Sequence, residues 1–163
     1  MNEEKKARPS WDEYFSHLAN LVGERGTCDR GQCGALITID KRIVSTGYAG
    51  SPSGTVHCDE VGHEMHTVIH EDGSQSQHCI RTTHAEQNAI CQAAKRGVAI
   101  DGATLYCRMT PCRTCGMMII NCGIKRVVAE RRYHAGADSE AMFREAGVEL
   151  EYVHDEVEKY ENQ

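Results

Sequence analysis

Residues 83–86 read Thr-His-Ala-Glu and residues 110–115 read Thr-Pro-Cys-Arg-Thr-Cys, and no other feature constrains the chain as tightly. His84, Cys112 and Cys115 offer one imidazole and two thiolates, three donors for a tetrahedral Zn²⁺ that leave its fourth position open. An open position belongs to catalysis rather than to bracing. Two thiolates cancel the charge of the ion, so water there is acidified less than at an all-histidine site and needs a base beside it. Glu86, two residues from His84, is the candidate base and proton carrier. With Pro111 suited to a first helical turn, Cys112 and Cys115 are expected at i and i+3 on one helix face, where the helix dipole favours thiolate. A lone Cys-x-x-Cys would also fit a redox pair or half of a structural zinc knuckle. The carboxylate two residues from the histidine has no part in either.

A fold that carries this pair must bring a segment near 84 and a helix start near 112 together. Apolar residues at Trp11, Tyr14/Phe15, Leu18 and Leu21/Val22 predict a first helix with one buried face, capped by Ser10 and Glu13. Residues 34–39 and 43–47 read as a β-hairpin around Asp40-Lys41-Arg42. Residues 57–79 show little periodicity and carry His57, Cys58, His63, His66, His70, His78 and Cys79, so they read as a long functional or stapled loop. A helix capped by Thr82/Thr83 and stopped by Gly97, a strand at 103–107, a helix from Pro111 to about Gly123, a strand at 126–129, a helix at 139–146 and a strand at 148–153 follow, before an acidic tail. The order predicts an α/β fold: one three-layer α/β/α domain over residues 1–163, core about 11–153, with a mixed five-stranded sheet and the metal where helix N-termini converge.

Nine cysteines in a chain of net charge −6 fit reduced thiols and metal better than a disulfide scaffold, since the number is odd and two belong to the motif. The acidic balance argues against stable nucleic-acid binding, which needs a basic surface. Absence of a long apolar run and of a leader pattern predicts no membrane association and a cytoplasmic location.

His-x-Glu with Pro-Cys-x-x-Cys is the known signature of zinc nucleobase deaminases, and at these residues the chain resembles the cytidine and deoxycytidylate deaminase superfamily. Trp11-Asp12-Glu13-Tyr14-Phe15, Gly47-Tyr48-x-Gly50, His84 to Ile90 and Gly123 to Val128 resemble its deoxycytidylate branch. Arg25-Gly26-Thr27-Cys28, His57-Cys58 and Cys79-Ile80-Arg81-Thr82-Thr83-His84 are similar to the bacterial and phage type.

The resemblance implies hydrolytic deamination of dCMP to dUMP with release of ammonia, supplying thymidylate synthesis. It further implies a homo-oligomer, often a hexamer, with dCTP as activator and dTTP as inhibitor, Mg²⁺ accompanying the effector, and the Gly47, Tyr48, Gly50 segment serving allostery. Relatives of the bacterial and phage type carry ligands or cysteines at the places of Cys28, Cys58, His63 and Cys79, which implies a second, structural zinc, with His66, His70 and His78 as rival ligands. Where the family has asparagine, Ala49 stands, so Ser51, Ser53 or a backbone group must hold the sugar or the sugar preference differs. Candidate substrate contacts are Arg25, Ala49, Ser51, Thr110, Arg113 and Tyr133, with Arg131 and Arg132 as further phosphate cations. Three alternatives stay open: another cytosine nucleotide (dCTP, CMP, methylated dCMP), a base within a polynucleotide, and a zinc interaction module without turnover, related chains being found in competence gene clusters.

Overall fold

The computed structural model describes residues 7–69 and 72–158; His70, named above as a rival ligand, lies outside them. Its centre is a mixed sheet in which β1 (Gly34–Ile39) pairs antiparallel with β2 (Arg42–Tyr48) and with the strand Thr104–Met109. The latter pairs in parallel with Arg126–Tyr133, which in turn pairs in parallel with Glu149–Tyr152. Counting in chain order, with β3 (Met65–Ile69) and β4 (Gln75–Cys79) forming a separate hairpin, these strands are β5, β6 and β7, and the sheet order is β2-β1-β5-β6-β7. The expected mixed five-stranded sheet is present, and a short β8 (Val157–Glu158) adds to β6 beyond the end of β7. That pairing gives Val157 and Glu158 of the acidic tail a place on the sheet.

Alternation along the central strands builds two cores. Ala35, Ile37, Leu105, Cys107, Val127 and Ala129 face one side, where α3 (Ala85–Arg96), α4 (Arg113–Asn121) and α5 (Ala137–Ala146) cover them with Ala89, Ile119 and Phe143. Leu36, Tyr106 and Val128 face the other, where α1 (Trp11–Gly23) supplies Phe15 and Ala19. Period-two side-chain alternation makes each central strand serve both layers. The helices therefore stand on both faces of the sheet, as expected.

α1 begins at the predicted cap: the Glu13 amide donates to Ser10 Oγ at 3.2 Å and the Ser10 amide to Glu13 Oε2 at 2.8 Å. Its packing differs from the sequence expectation, because Phe15, Ser16, Ala19 and Gly23 are buried while Trp11, Tyr14 and Leu21 face outward. Gly34 explains this. A methyl there would overlap the Ala19 carbonyl and the Gly23 amide, so strand and helix meet backbone to backbone and only the small face of α1 fits between them. Asp12 fixes the rotation of the helix, accepting from both Arg126 nitrogens at 2.9 and 2.8 Å and from the Tyr106 hydroxyl at 2.8 Å.

Three further local expectations are corrected. Residues 57–79 hold a one-turn helix, α2 (Cys58–Val61), and the β3–β4 hairpin, whose polar, exposed strands hid their pairing from any periodicity argument. The cap of α3 is His84 rather than Thr82/Thr83, because Thr83 is engaged with Gly50 in a two-way bridge at 2.9 and 3.2 Å. Pro111 precedes the cap of α4, which is Cys112 itself in extended conformation, φ −65° and ψ 165°.

Candidate active site

Helix starts place the motif. His84 caps α3 and Cys112 caps α4, so both side chains leave the backbone at helix N-termini beyond the C-terminal end of β5, with Cys115 one turn into α4. Gln87 Oε1 accepts from the His84 amide at 3.1 Å and fixes that entry. Gly47 seats the same helix from below: a methyl on it would overlap the Ala85 carbonyl and Ala89 amide, and Asn88 Nδ2 donates to the Tyr48 carbonyl at 3.0 Å. Ser45 donates to the Ala89 carbonyl at 2.6 Å. The Gly47-Tyr48-x-Gly50 segment thus docks α3 and, through Gly50 and Thr83, the loop that leads to His84.

His84 Nδ1 lies 3.5 Å from Cys112 Sγ and 3.4 Å from Cys115 Sγ, and the two sulfurs are 3.5 Å apart. Bond lengths of about 2.3 Å to sulfur and about 2.0–2.1 Å to nitrogen make the edges of a zinc tetrahedron roughly 3.7 Å for S···S and roughly 3.5 Å for S···N. The donor set fits that ion within a few tenths of an ångström. Electrostatics agree. The hydrogen bond with Cys115, then that with His84, holds Cys112 down to about 4, while the same shared bond and burial push Cys115 well up. His84 is raised to about 9, chiefly by Cys112. Three groups that compete for protons at one point are groups that a dication would serve together.

Glu86 Oε2 lies 3.7 Å from Cys115 Sγ, at the wall of the same pocket. Burial raises its carboxyl above the ordinary value, against the pull of His84, which is the direction a proton carrier near neutrality requires.

A second cluster stands beside the first. The donor atoms of Cys28, Cys58, His63 and Cys79 all lie within 4.8 Å of one another, including Cys28 Sγ to His63 Nδ1 and Cys58 Sγ to Cys79 Sγ, each at 3.6 Å. His63 Nε2 is 2.9 Å from Asp29 Oδ1, the carboxylate support that orients an imidazole for a ligand on its other nitrogen. Desolvation pushes Cys58 up to about 12; burial opposes ionisation of Cys79 too, but backbone amides of Arg81 and Glu64 bring it down to about 7. All four residues were singled out from the sequence. Of their rivals, His66 and His78 lie opposite each other on the hairpin, outside this cluster.

A cavity of about 300 Å³ is lined by residues of both clusters, His84, Glu86 and Cys112 of the first and Cys28 and Cys79 of the second. Ala49, Thr110 and Tyr133 line it as anticipated. The Thr110 hydroxyl is engaged inside the wall, accepting from the Tyr133 amide at 3.1 Å and lying 3.0 Å from the Tyr152 hydroxyl. Arg25, Arg113 and Ser51 do not line it, and both arginines are exposed. Arg131 and Arg132 stay outside as well: Arg131 lies near Glu156, while Arg132 lies over the Tyr152 ring, near Glu140 and Asp155. The cations that do line the cavity are Arg30 and Arg108. Arg108 had a readable signal, a charge within the apolar run of β5; Arg30 had none beyond its place two residues after Cys28.

The family model for the cytidine and deoxycytidylate deaminase zinc-binding region matches residues 9–131. ComE operon protein 2 of Bacillus subtilis is 41% identical over 146 residues, covering 90% of this chain and 72% of its own. Deoxycytidylate deaminase of Schizosaccharomyces pombe is 35% identical over 88% of this chain, which spans only 44% of the yeast protein. Among solved structures, dCMP deaminase of the cyanophage S-TIM5, in complex with dCMP and dUMP, superposes with a TM-score of 0.71 at 31% identity, over 90% of this chain and 98% of that one.

Proposed function

The chain belongs to the cytidine and deoxycytidylate deaminase family, and from that premise we propose that it deaminates dCMP hydrolytically to dUMP, releasing ammonia. The observation that carries this reading is the meeting of His84, Cys112, Cys115 and Glu86 beside a cavity that Arg30 and Arg108 also line. The pyrimidine would lie with its amine-bearing carbon at the metal end and its phosphate toward the arginines.

His84, Cys112 and Cys115 would hold Zn²⁺, which when bound supplies a Lewis acid that polarises the attacking oxygen. The chain's own chemistry is proton movement. Glu86 takes one proton from the attacking water and delivers it to ring nitrogen N3 as the C4–O bond forms, then moves the second, from the new C4 hydroxyl, to the amine as the C4–N bond breaks and the carbonyl forms. Water in, ammonia out, and a carbonyl at C4 balance the reaction. Arg30 and Arg108 orient the nucleotide by its phosphate, the recognition for which guanidinium is suited.

The finer parts of this reading are proposals of the same kind. Cys28, Cys58, His63 and Cys79 form a closed Cys₃His set for a structural Zn²⁺ that orders residues 57–79. Ala49 turns a methyl to the cavity, with its amide and carbonyl already bound to Cys33 and Thr27, so it offers a sugar nothing polar. Weak discrimination between deoxy and ribo substrates follows. A single domain, homo-oligomerisation, dCTP and dTTP control with Mg²⁺, and a cytoplasmic setting that keeps the thiols reduced complete the reading. Among the described residues no helix is long and apolar enough to cross a membrane.

The test is ammonia release from purified protein across dCMP, CMP, dCTP and methylated dCMP, with and without dCTP and dTTP. Preference for dCMP supports the assignment. Turnover only on another cytosine nucleotide, or activity abolished by competing single-stranded DNA or tRNA, overturns it.

A further inference from the structure

Thr110 is polar yet only 3% exposed, and its hydroxyl has a fixed place in the sheet. The Thr110 amide donates to the Arg131 carbonyl at 3.2 Å and so extends the β5–β6 pairing. In a continued parallel ladder the Thr110 carbonyl would accept the Tyr133 amide, but β5 ends before Pro111 and the hydroxyl accepts it instead. Tyr152 takes the other side of that hydroxyl. Its own proton goes to Glu140 Oε1 at 2.8 Å, so across the 3.0 Å contact with Thr110 the phenol oxygen accepts and the threonine donates. The direction of every bond is thereby set: Tyr133 amide to Thr110, Thr110 to Tyr152, Tyr152 to the Glu140 carboxylate. Hydrogen bonds aligned in this way strengthen one another. Burial pushes the phenol up to about 12, so its proton stays in place. The Thr110 methyl is used as well: a Cβ at Gly136 would lie 2.9 Å from it, so the loop from Tyr133 to Gly136 rests directly on this side chain.

We propose that Tyr152, which does not itself line the cavity, is a positioning residue for the deamination: acting through Thr110, it fixes the wall of Thr110, Tyr133 and Ala135 against which the nucleoside lies. This role rests on the deaminase reading. Tyr152 is suited to it because it is itself held, its ring packed against the core with the Arg132 guanidinium 4.6 Å over the ring. Its bonds join the ends of β5, β6 and β7 to the first turn of α5. Without the phenol oxygen the Thr110 hydroxyl loses its acceptor and turns to another, which releases the Tyr133 amide and the loop seated on the methyl. The wall then no longer keeps sugar and base in one place. His84, Cys112, Cys115 and Glu86, set at the starts of α3 and α4, keep theirs.

The experiment is steady-state kinetics of the full chain on dCMP and on deoxycytidine, wild type beside Tyr152→Phe, Thr110→Val and the double variant, with zinc content and melting temperature measured on each. Both single variants are expected to keep their zinc and to raise KM about tenfold, with kcat changed much less. The factor should be the same on both substrates, because the wall acts on the nucleoside and not on the phosphate. Since the two hydroxyls act as one unit, the double variant should be no worse than either single one. Should Thr110→Val fail to fold, Tyr152→Phe decides alone, through KM at unchanged zinc content. In a wild type active on dCMP, a Tyr152→Phe enzyme that melts earlier but keeps the wild-type KM would reveal a merely structural bond and overturn this role alone. Additive losses in the double variant, or a loss confined to dCMP, would do the same. A wild type without turnover on dCMP would overturn the deaminase reading and this role with it.

Discussion

The Glu86 carboxylate and the Cys115 sulfur lie 3.7 Å apart, although 29 positions separate them in the chain. The proposed proton carrier therefore touches the proposed metal donors without being one of them. Glu86→Gln should keep its zinc and lose roughly 10²–10⁴-fold in turnover. His84→Ala or Cys112→Ser should lose metal and activity together. Metal analysis beside the rate assay separates the two cases, and near-normal turnover in a zinc-replete Glu86→Gln enzyme would sink the mechanism.

Cys58 lies within the second cluster and does not line the cavity, so its replacement tests the proposed structural metal separately from the proposed active site. Wild-type protein should contain about two zinc per chain and Cys58→Ser about one, with a lower melting temperature. Stoichiometry near one in wild type purified without chelator would refute the second site.

Arg30 and Arg108 are expected to act on the phosphate and not on the base. Replacing either with alanine removes a charge-assisted contact, which corresponds to about 10–100-fold in KM for dCMP with kcat nearly kept. On deoxycytidine, which lacks the phosphate, the same variants should match the wild type. Equal losses on both substrates would show that the arginines serve only the shape of the wall.

Gly47 permits β2 to touch the first turn of α3. Gly47→Ala should cost at least about 1–3 kcal/mol, since backbone atoms of Ala85 and Ala89 cannot move aside without shifting His84. Thermal unfolding measures the loss, and zinc content should fall with it. An unperturbed, metal-replete variant would disprove the tight contact.

Asp12 is held below its ordinary pKa of 3.8, chiefly by its hydrogen bonds from Arg126. A depressed carboxylate contributes stability that is present above the unfolded pKa and lost as pH falls through the folded one. Denaturant unfolding between about pH 5 and pH 2 should show this loss, and Asp12→Asn should flatten that limb, by on the order of 1 kcal/mol because the pair is partly exposed to solvent. Identical acid limbs would place the sensitivity elsewhere.

What depends on residue type and short spacing was readable along the chain: the grouping of His84, Cys112, Cys115 and Glu86, the capping box of α1, the Gly97 stop, and the order of strands and helices outside residues 57–79 and the tail. Even the four residues of the second cluster were marked by their cysteines and a family likeness. Tertiary structure decided what depends on which backbone comes close to which. Glycines at 34 and 47 let strands meet helices directly, which turned α1 onto its small face and left Trp11, Tyr14 and Leu21 outward. Pairing of Thr83 with Gly50 moved the α3 cap to His84. That Arg30 and Arg108 line the cavity in place of Arg25 and Arg113 was decided by where each backbone runs: Arg108 was marked only as a charge within an apolar strand, and Arg30, on its loop, carries no local sign of the space beside it.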